Sequence, residues 1–187
     1  MIYEVCELLA THLQDGAMGV NALRLSVPLD ALDPPLEAVT VASEFELEYL
    51  AGDKIPDSAY GAGPLVLVRR GDDTGEFSAP GNPELLSNPA RVGIAVLVLF
   101  PRRTIRDLHL ENRCQSALLR VVRRSIGMFF EDVDYAARAL RGVQIRSALS
   151  VRVVPALALL GEQDLLAGAV LVDVDVIDRW SEGTAAS

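Results

Sequence analysis

The chain has 187 residues, half of them hydrophobic, and a mean hydropathy of +0.27. This is enough apolar material for one domain with a full core, and it excludes a disordered chain. No stretch approaches the roughly 20 apolar residues that span a bilayer. The start of the chain carries Glu4 and Glu7 rather than basic residues, so we expect no signal peptide and no membrane partner.

The formal net charge of −9 is unevenly distributed. Residues 1–60 hold 11 acids against Arg24 and Lys54, whereas residues 102–124 hold seven arginines against Asp107 and Glu111. Both regions can be ordinary solvated surface. The alternative is that the acidic region of one copy meets the basic segment of another, because charge complementarity favours encounter and register.

The first half of the chain predicts one helix and two strands. Apolar residues at helical spacing predict a helix over 2–14 that ends before Gly16. Residues 19–28 fit a short strand or an irregular crossing segment. Alternation predicts a strand over 36–43, and residues 64–69 predict a short buried strand.

Two long loops are expected in this half. Residues 44–63 are acidic and then rich in Gly, Pro, Asp and Ser, which predicts a helical turn followed by a loop. Residues 71–90 hold Gly, Pro, Asn and Asp at high density. Since loops of that length inside a compact domain are uncommon, we interpret this one as an arm that orders on a partner.

The second half predicts three strands. The nearly continuous apolar run over 91–100 is typical of a central strand. Residues 143–160 predict a long strand that is interrupted or bulged at Pro155. A turn over 161–168 leads to a last strand over 169–177, whose alternation puts four valines on one side and two aspartates on the other.

The most informative segment is the helix predicted over 104–126, followed by a connector at 127–141. Its apolar stripe includes Cys114, and Cys6 lies on the apolar face of the first helix, so both thiols are expected to be buried and free. Along one flank of the stripe lies a set that we call the arginine row: Arg106, Arg113, Arg120 and Arg124.

The arginine row has three interpretations. It can be a solvated helix flank with intrachain ion pairs, a phosphate-binding surface, or a subunit interface. The chain is acidic overall and aromatic residues do not interleave with the arginines, so sequence-specific nucleic-acid recognition is not expected. We favour an interface between the row and the acidic N-terminal third, including Glu44, Glu46 and Glu48.

No catalytic, metal or cofactor site is predicted. His12 and His109 are not at zinc-ligand spacing with a cysteine and are expected on the surface or on helix flanks. Asp173 and Asp175 share one strand face, but two carboxylates supply too few ligands for a divalent cation, which favours a solvated face. Without a Walker lysine or a dinucleotide-binding glycine loop, nothing indicates an enzyme.

These elements predict an α+β fold with a largely antiparallel sheet, an N-terminal helix and one long helix packed on the sheet. A single domain is expected over 1–180, with a flexible tail over 181–187. The order of the elements resembles that of the tail-terminator, or tail-completion, proteins of long-tailed bacteriophages. The strand over 91–100 leads into the long helix, and the strand at 143–160 pairs with the last strand at 169–177.

The resemblance implies a structural virion protein without enzymatic activity. It implies a homo-oligomeric ring, typically a hexamer, that caps the tail tube and joins the tail to the head connector. The implied partners are other copies of the chain, the major tail tube protein and the connector or stopper protein. Assembly would occur in the host cytoplasm, and the final location would be the neck of the virion. Another neck component, or a small ligand- or metal-binding domain, remains the alternative.

Overall fold

The computed structural model describes residues 2–26, 36, 38–44, 63–71, 87–101, 108–131, 143–154 and 165–179. Within these residues the fold is α+β, as predicted. The helices are α1 (Ile2–Gln14), α2 (Val20–Leu23) and α3 (Leu108–Glu131), with a 3-10 helix at Arg24–Ser26. The strands are β1 (Thr40–Ser43), β2 (Leu65–Arg70), β3 (Ser87–Pro101), β4 (Val143–Val154) and β5 (Leu165–Arg179).

The described strands form one sheet in the order β1-β2-β3-β5-β4. Only β1 and β2 are parallel, and the other three pairings are antiparallel. The apolar run of β3 is central, as expected, because β2 and β5 flank it. β3 and β5 pair from Ser87 opposite Arg179 to Pro101 opposite Leu165. This ladder is the longest pairing among the described strands.

Both long helices pack on one face of the sheet, which we call the helix-covered face. α1 lies against β1 and β2, α3 lies against β3, β4 and β5, and the two helices contact each other. Successive strand residues point to opposite faces, which is why the valines of β5 alternate into this core. The main buried members of this core are Leu9, Leu13, Val96, Val98, Leu118, Val122, Ile126, Phe129, Val170, Val172 and Val174.

The opposite face is divided along its length. One end is apolar and buried, formed by Ala42, Leu65, Leu67, Leu97, Leu99, Ala167 and Ala169. The other end is polar and carries Arg91, Asp173 and Asp175. The predicted distribution on β5 is confirmed, since Val170, Val172, Val174 and Val176 are buried whereas the aspartates are half-buried.

Residues 19–28 do not form a strand where they are described; α2 and the 3-10 helix occupy 20–26. Local hydrogen bonds explain this. Both Ala17 N and Met18 N donate to Asp15 Oδ1 at 2.8 Å, which turns the chain directly after α1. Asn21 Nδ2 donates to Val39 O, and Asn21 Oδ1 accepts from Val39 N. These bonds occupy the backbone of Val39, and β1 begins at Thr40 rather than at the predicted residue 36.

Several predicted boundaries in the second half are also wrong. β3 begins at Ser87, inside the predicted loop 71–90, and β5 begins at Leu165, inside the predicted turn. Pairing along the full β3–β5 ladder extends both strands past their apolar segments. Helix α3 continues to Glu131, into the first residues of the predicted connector 127–141, because Ile126 and Phe129 are buried in the helix-covered core.

Other predictions fall outside the described residues. These are the interior of the loop 44–63, residues 72–86 of the second loop, residues 155–164, which include Pro155, and the tail 181–187. The division into one domain over 1–180 therefore stays a prediction.

Gly19 provides a test of the turn between α1 and α2. A Cβ added there would lie 2.6 Å from Leu13 O and 2.7 Å from Asp15 N, and these backbone atoms cannot move aside. We expect Gly19→Ala to lower the free energy of unfolding by about 2 kcal/mol, measured by chemical denaturation. Gly16→Ala is the matched control, since nothing lies within 4 Å of its added Cβ; equal stability of the two variants would contradict the close approach.

Candidate subunit interface

The outer surface of α3 carries the arginines that the sequence singled out. Arg113, Arg120 and Arg124 are exposed, and so is Arg123, which lies beside the row and was not part of it. From Arg113 to Arg124 the helix rises about 16 Å. The row therefore presents a basic strip over much of the described helix. Arg106 lies outside the described residues.

The opposite surface of the same helix is buried, as predicted. Cys114 is 7% exposed and the stripe continues through Ala117, Leu118 and Val121. Because apolar residues at helical spacing face the sheet, the arginines between them must face away from it. The amphipathic pattern thus fixes both the packing of α3 and the direction of its charge.

Three arginines of α3 are not used in ion pairs within the described part of the chain. Arg120, Arg123 and Arg124 have no carboxylate of another described residue within salt-bridge distance. The alternative interpretation, a solvated helix flank with intrachain ion pairs, stays a prediction, because acids close in the sequence such as Asp107 lie outside the described residues. The donors of the three arginines are available to a partner surface.

Glu44 has partners within its own chain. Arg70 N donates to Glu44 Oε1 at 2.8 Å, and Arg69 Nε lies 4.0 Å from Glu44 Oε2. Glu44 therefore lies at the end of β1 against β2, where its partners are Arg69 and Arg70 rather than the described residues of the arginine row. Glu46 and Glu48 lie outside the described residues.

Other described acids of the N-terminal third are also engaged internally. Glu7 Oε1 accepts a 2.5 Å hydrogen bond from Ser43 Oγ, and Asp15 caps the turn after α1. Glu44 and Glu7 sit near the thiol of Cys6. Burial, followed by the negative charges of Glu44 and Glu7, raises the pKa of the Cys6 thiol to about 12. The acids near this thiol thus stabilise its protonated form.

A buried polar joint holds α3 against α1. His12 is 5% exposed, so the expectation of a surface position is wrong for this histidine. His12 Nε2 lies 2.9 Å from Ser125 O, and its ring packs 5.1 Å from the ring of Phe129. Ser125 Oγ donates to Met18 O at 2.7 Å. Sequence reasoning missed this joint because its partners are more than 100 residues apart.

Gln115 is an exception in the core. It is 4% exposed, and its Nε2 has no hydrogen-bond partner among the described residues. The amide lies over β5, where a Cβ added to Gly168 would be 3.4 Å from Gln115 Nε2 and 2.8 Å from a methyl of Leu119. The small residue at 168 lets α3 approach the strand closely. We have no physical account of why a polar residue stands at 115.

The polar end of the opposite face forms a cross-strand network. Ser150 Oγ donates to Asp173 Oδ2 at 2.5 Å, and Arg152 Nη2 lies 3.9 Å from the same oxygen. Arg91 stands opposite Asp175 in the ladder. The described residues contain no group of three or more His, Cys, Asp or Glu side chains arranged to hold a metal ion.

No protein-family model matches this chain, and a comparison with curated proteins finds no match. Among the described helices, none has the length and apolar character needed to cross a membrane.

Gln115 allows a test of the core beneath the arginine row. We expect Gln115→Met to leave the free energy of unfolding unchanged or to raise it by about 1 kcal/mol, because the unpaired buried amide is removed at similar volume. Ser125→Ala is the contrasting variant: it leaves Met18 O without its donor, and we expect a loss of about 1–3 kcal/mol. Thermal and urea unfolding of both variants would measure this. A clear loss of stability in Gln115→Met would show that the amide has a partner.

The thiol of Cys6 should be unreactive in the folded protein. In a Cys114→Ala background, we expect alkylation of Cys6 at pH 8 to be roughly a thousandfold slower than that of a free thiol, because burial and the raised pKa suppress the thiolate. In denaturant the rate should return to that of a free thiol. Mass spectrometry over time would follow labelling; rapid labelling of the native protein would contradict the buried position.

Proposed function

We propose that this chain is a structural virion protein that assembles into a homo-oligomeric ring, caps the tail tube of a long-tailed bacteriophage and joins the tail to the head connector. The observation that carries the proposal is the exposed basic surface of α3. Arg120, Arg123 and Arg124 have no carboxylate of another described residue within salt-bridge distance, and the other side of their helix is buried in the core. Such a surface suits a fixed contact between protein subunits.

The geometry of a ring supports the same interpretation. A closed ring needs a heterologous interface, in which two different patches of one subunit meet. The basic surface of α3 is one patch, and the acidic N-terminal third supplies charge for the other. Since Glu7, Asp15 and Glu44 have intramolecular contacts, we assign the intermolecular contact to the remaining acids of that third, which include Glu46 and Glu48.

We propose no enzymatic activity and no cofactor for this chain. The proposed partners of the chain are other copies of itself, the tail tube protein and the connector or stopper protein. A different neck component would share the self-assembly but not the neighbours. Imaging of particles distinguishes these roles, because a terminator has the tail tube directly beneath it.

Charge reversal tests the interface. We expect Arg113→Glu with Arg120→Glu to convert the assembly into folded monomers, because like charges would then face each other. The mass would be measured by light scattering after size-exclusion chromatography, and folding by circular dichroism. Arg113→Lys with Arg120→Lys is the matched control, which keeps the charge but not the planar guanidinium.

Salt gives an independent measurement of the same contact. Exposed ion pairs weaken as ionic strength rises, so the wild-type assembly should dissociate more readily at about 1 M salt than at 0.1 M. An assembly that survives charge reversal with unchanged mass would disprove the role of the arginine row. A protein that is monomeric at every concentration would disprove the ring itself.

A further inference from the structure

The outward side of α3 is a narrow strip between two buried flanks. Helix geometry puts Ala117 and Val121 on one flank and Leu119 and Ile126 on the other, and all four are buried. The positions between these flanks, which we call the exposed strip, are Arg113, Ser116, Arg120, Arg123, Arg124 and Gly127. A partner therefore reaches this part of α3 along the strip and not from its sides.

Arginines lie on both edges of the exposed strip. Arg113, Arg120 and Arg124 of the arginine row lie within about 40° of one another around the helix axis, and Arg123 lies about 100° from Arg124. The row thus follows one edge, and Arg123 marks the other. Arg120, Arg123 and Arg124 have no carboxylate of another described residue within salt-bridge distance.

Small residues lie between the two edges. Ser116 and Gly127 are separated by about three helical turns, so they lie nearly in line and about 16 Å apart along the axis. Ser116 is exposed, and a Cβ added at Gly127 would have nothing within 4 Å. A partner can approach the helix closely at these positions, because the distance between packed elements depends on the side chains at the contact.

The charge of the exposed strip excludes the same strip of a second copy as its partner. Residues 112–130 contain four arginines and no acid. Two such strips facing each other would bring only like charges together, which disfavours the contact. The partner surface must therefore be a different one, and it must be acidic. A chain with a net charge of −9 offers such a surface on its other copies.

We propose that one acidic segment of a neighbouring copy lies lengthwise along the exposed strip, over Ser116 and Gly127, and accepts hydrogen bonds from arginines on both edges. The segment belongs to another copy because the inference rests on the ring proposed above. Arg123 and Arg124 contact it from opposite sides. Arg123 thereby joins the residues that bind the partner, although it is not part of the arginine row.

Donors on both sides of the segment have a structural consequence. Guanidinium groups bind carboxylates through two parallel hydrogen bonds, which fixes geometry as well as adding binding energy. Arginines on one edge alone would leave the segment free to shift sideways. Arginines on both edges hold it over the middle of the helix, so successive subunits meet at one defined position.

Single charge reversals compare the two edges. We expect Arg123→Glu and Arg124→Glu each to raise the dissociation constant of the assembly about tenfold or more, measured by light scattering on dilution. Arg91→Glu is the matched control, because Arg91 is exposed on the opposite face of the sheet and gives the same change in net charge. An effect of Arg124→Glu without an effect of Arg123→Glu would overturn the proposal.

Gly127→Trp tests the middle of the exposed strip. We expect this variant to be folded by circular dichroism but monomeric by light scattering, because the indole would occupy the path of the segment. Gly16→Trp is the matched control and should assemble like the wild type, since an added Cβ at Gly16 also has nothing within 4 Å. A folded Gly127→Trp with the mass of the wild type would overturn the proposal.

Thiol labelling probes the same position with a small substitution. The native Cys6 and Cys114 are buried, so a thiol introduced by Ser116→Cys can be followed by mass spectrometry. Its alkylation should slow about tenfold when the protein assembles, whereas alkylation of Gly16→Cys should keep its rate. A rate at Ser116→Cys that is independent of protein concentration would overturn the proposal, even if Gly127→Trp fails to fold.

The variants also separate this contact from the ring itself. If Arg113→Glu with Arg120→Glu dissociates the assembly while Gly127→Trp leaves it intact, the lengthwise segment is disproved and the ring interface stands. A protein that is monomeric at every concentration disproves both.

Discussion

The antiparallel ladder between β3 and β5 is the constraint on which the rest of the structure depends. Each strand has 15 residues, and every residue from Ser87 to Pro101 has a partner in β5. The ladder holds β2 on one side and β4 on the other. Its alternating valines form the surface on which α3 packs, so the strand pairing also determines where the arginines stand.

Helix α3 links the core to the outer surface. On one side Leu118, Val122 and Ile126 are nearly or fully buried, and on the other Arg120 and Arg124 are exposed. The joint of His12, Ser125 and Phe129 attaches this helix to α1 by a hydrogen bond and ring packing. The buried side of α3 therefore determines the direction in which its exposed arginines point.

Much of the fold follows from residue patterns. Helical spacing of apolar residues predicts α1, and a continuous apolar run predicts the central position of β3. Alternation predicts which side of β5 is buried. The ends of the strands and helices were less predictable. The ladder extends β3 and β5 beyond their apolar segments, and packing of Phe129 extends α3 beyond its predicted end. A pattern records burial, whereas a strand also includes residues held only by backbone pairing.

For the candidate interface too, some features follow from the sequence and others only from the tertiary structure. The sequence by itself determined that α3 is amphipathic, that its arginines share one flank and that the acids gather in the first 60 residues, because helix periodicity and charge are local properties. Only the tertiary structure decided that His12 is buried against α3, that Glu44 bonds to the backbone of Arg70 and that the side chains of Gln14 and Asn21 bond to the backbone of Val41 and Val39. These contacts join residues distant in the chain, and no local pattern specifies such partners.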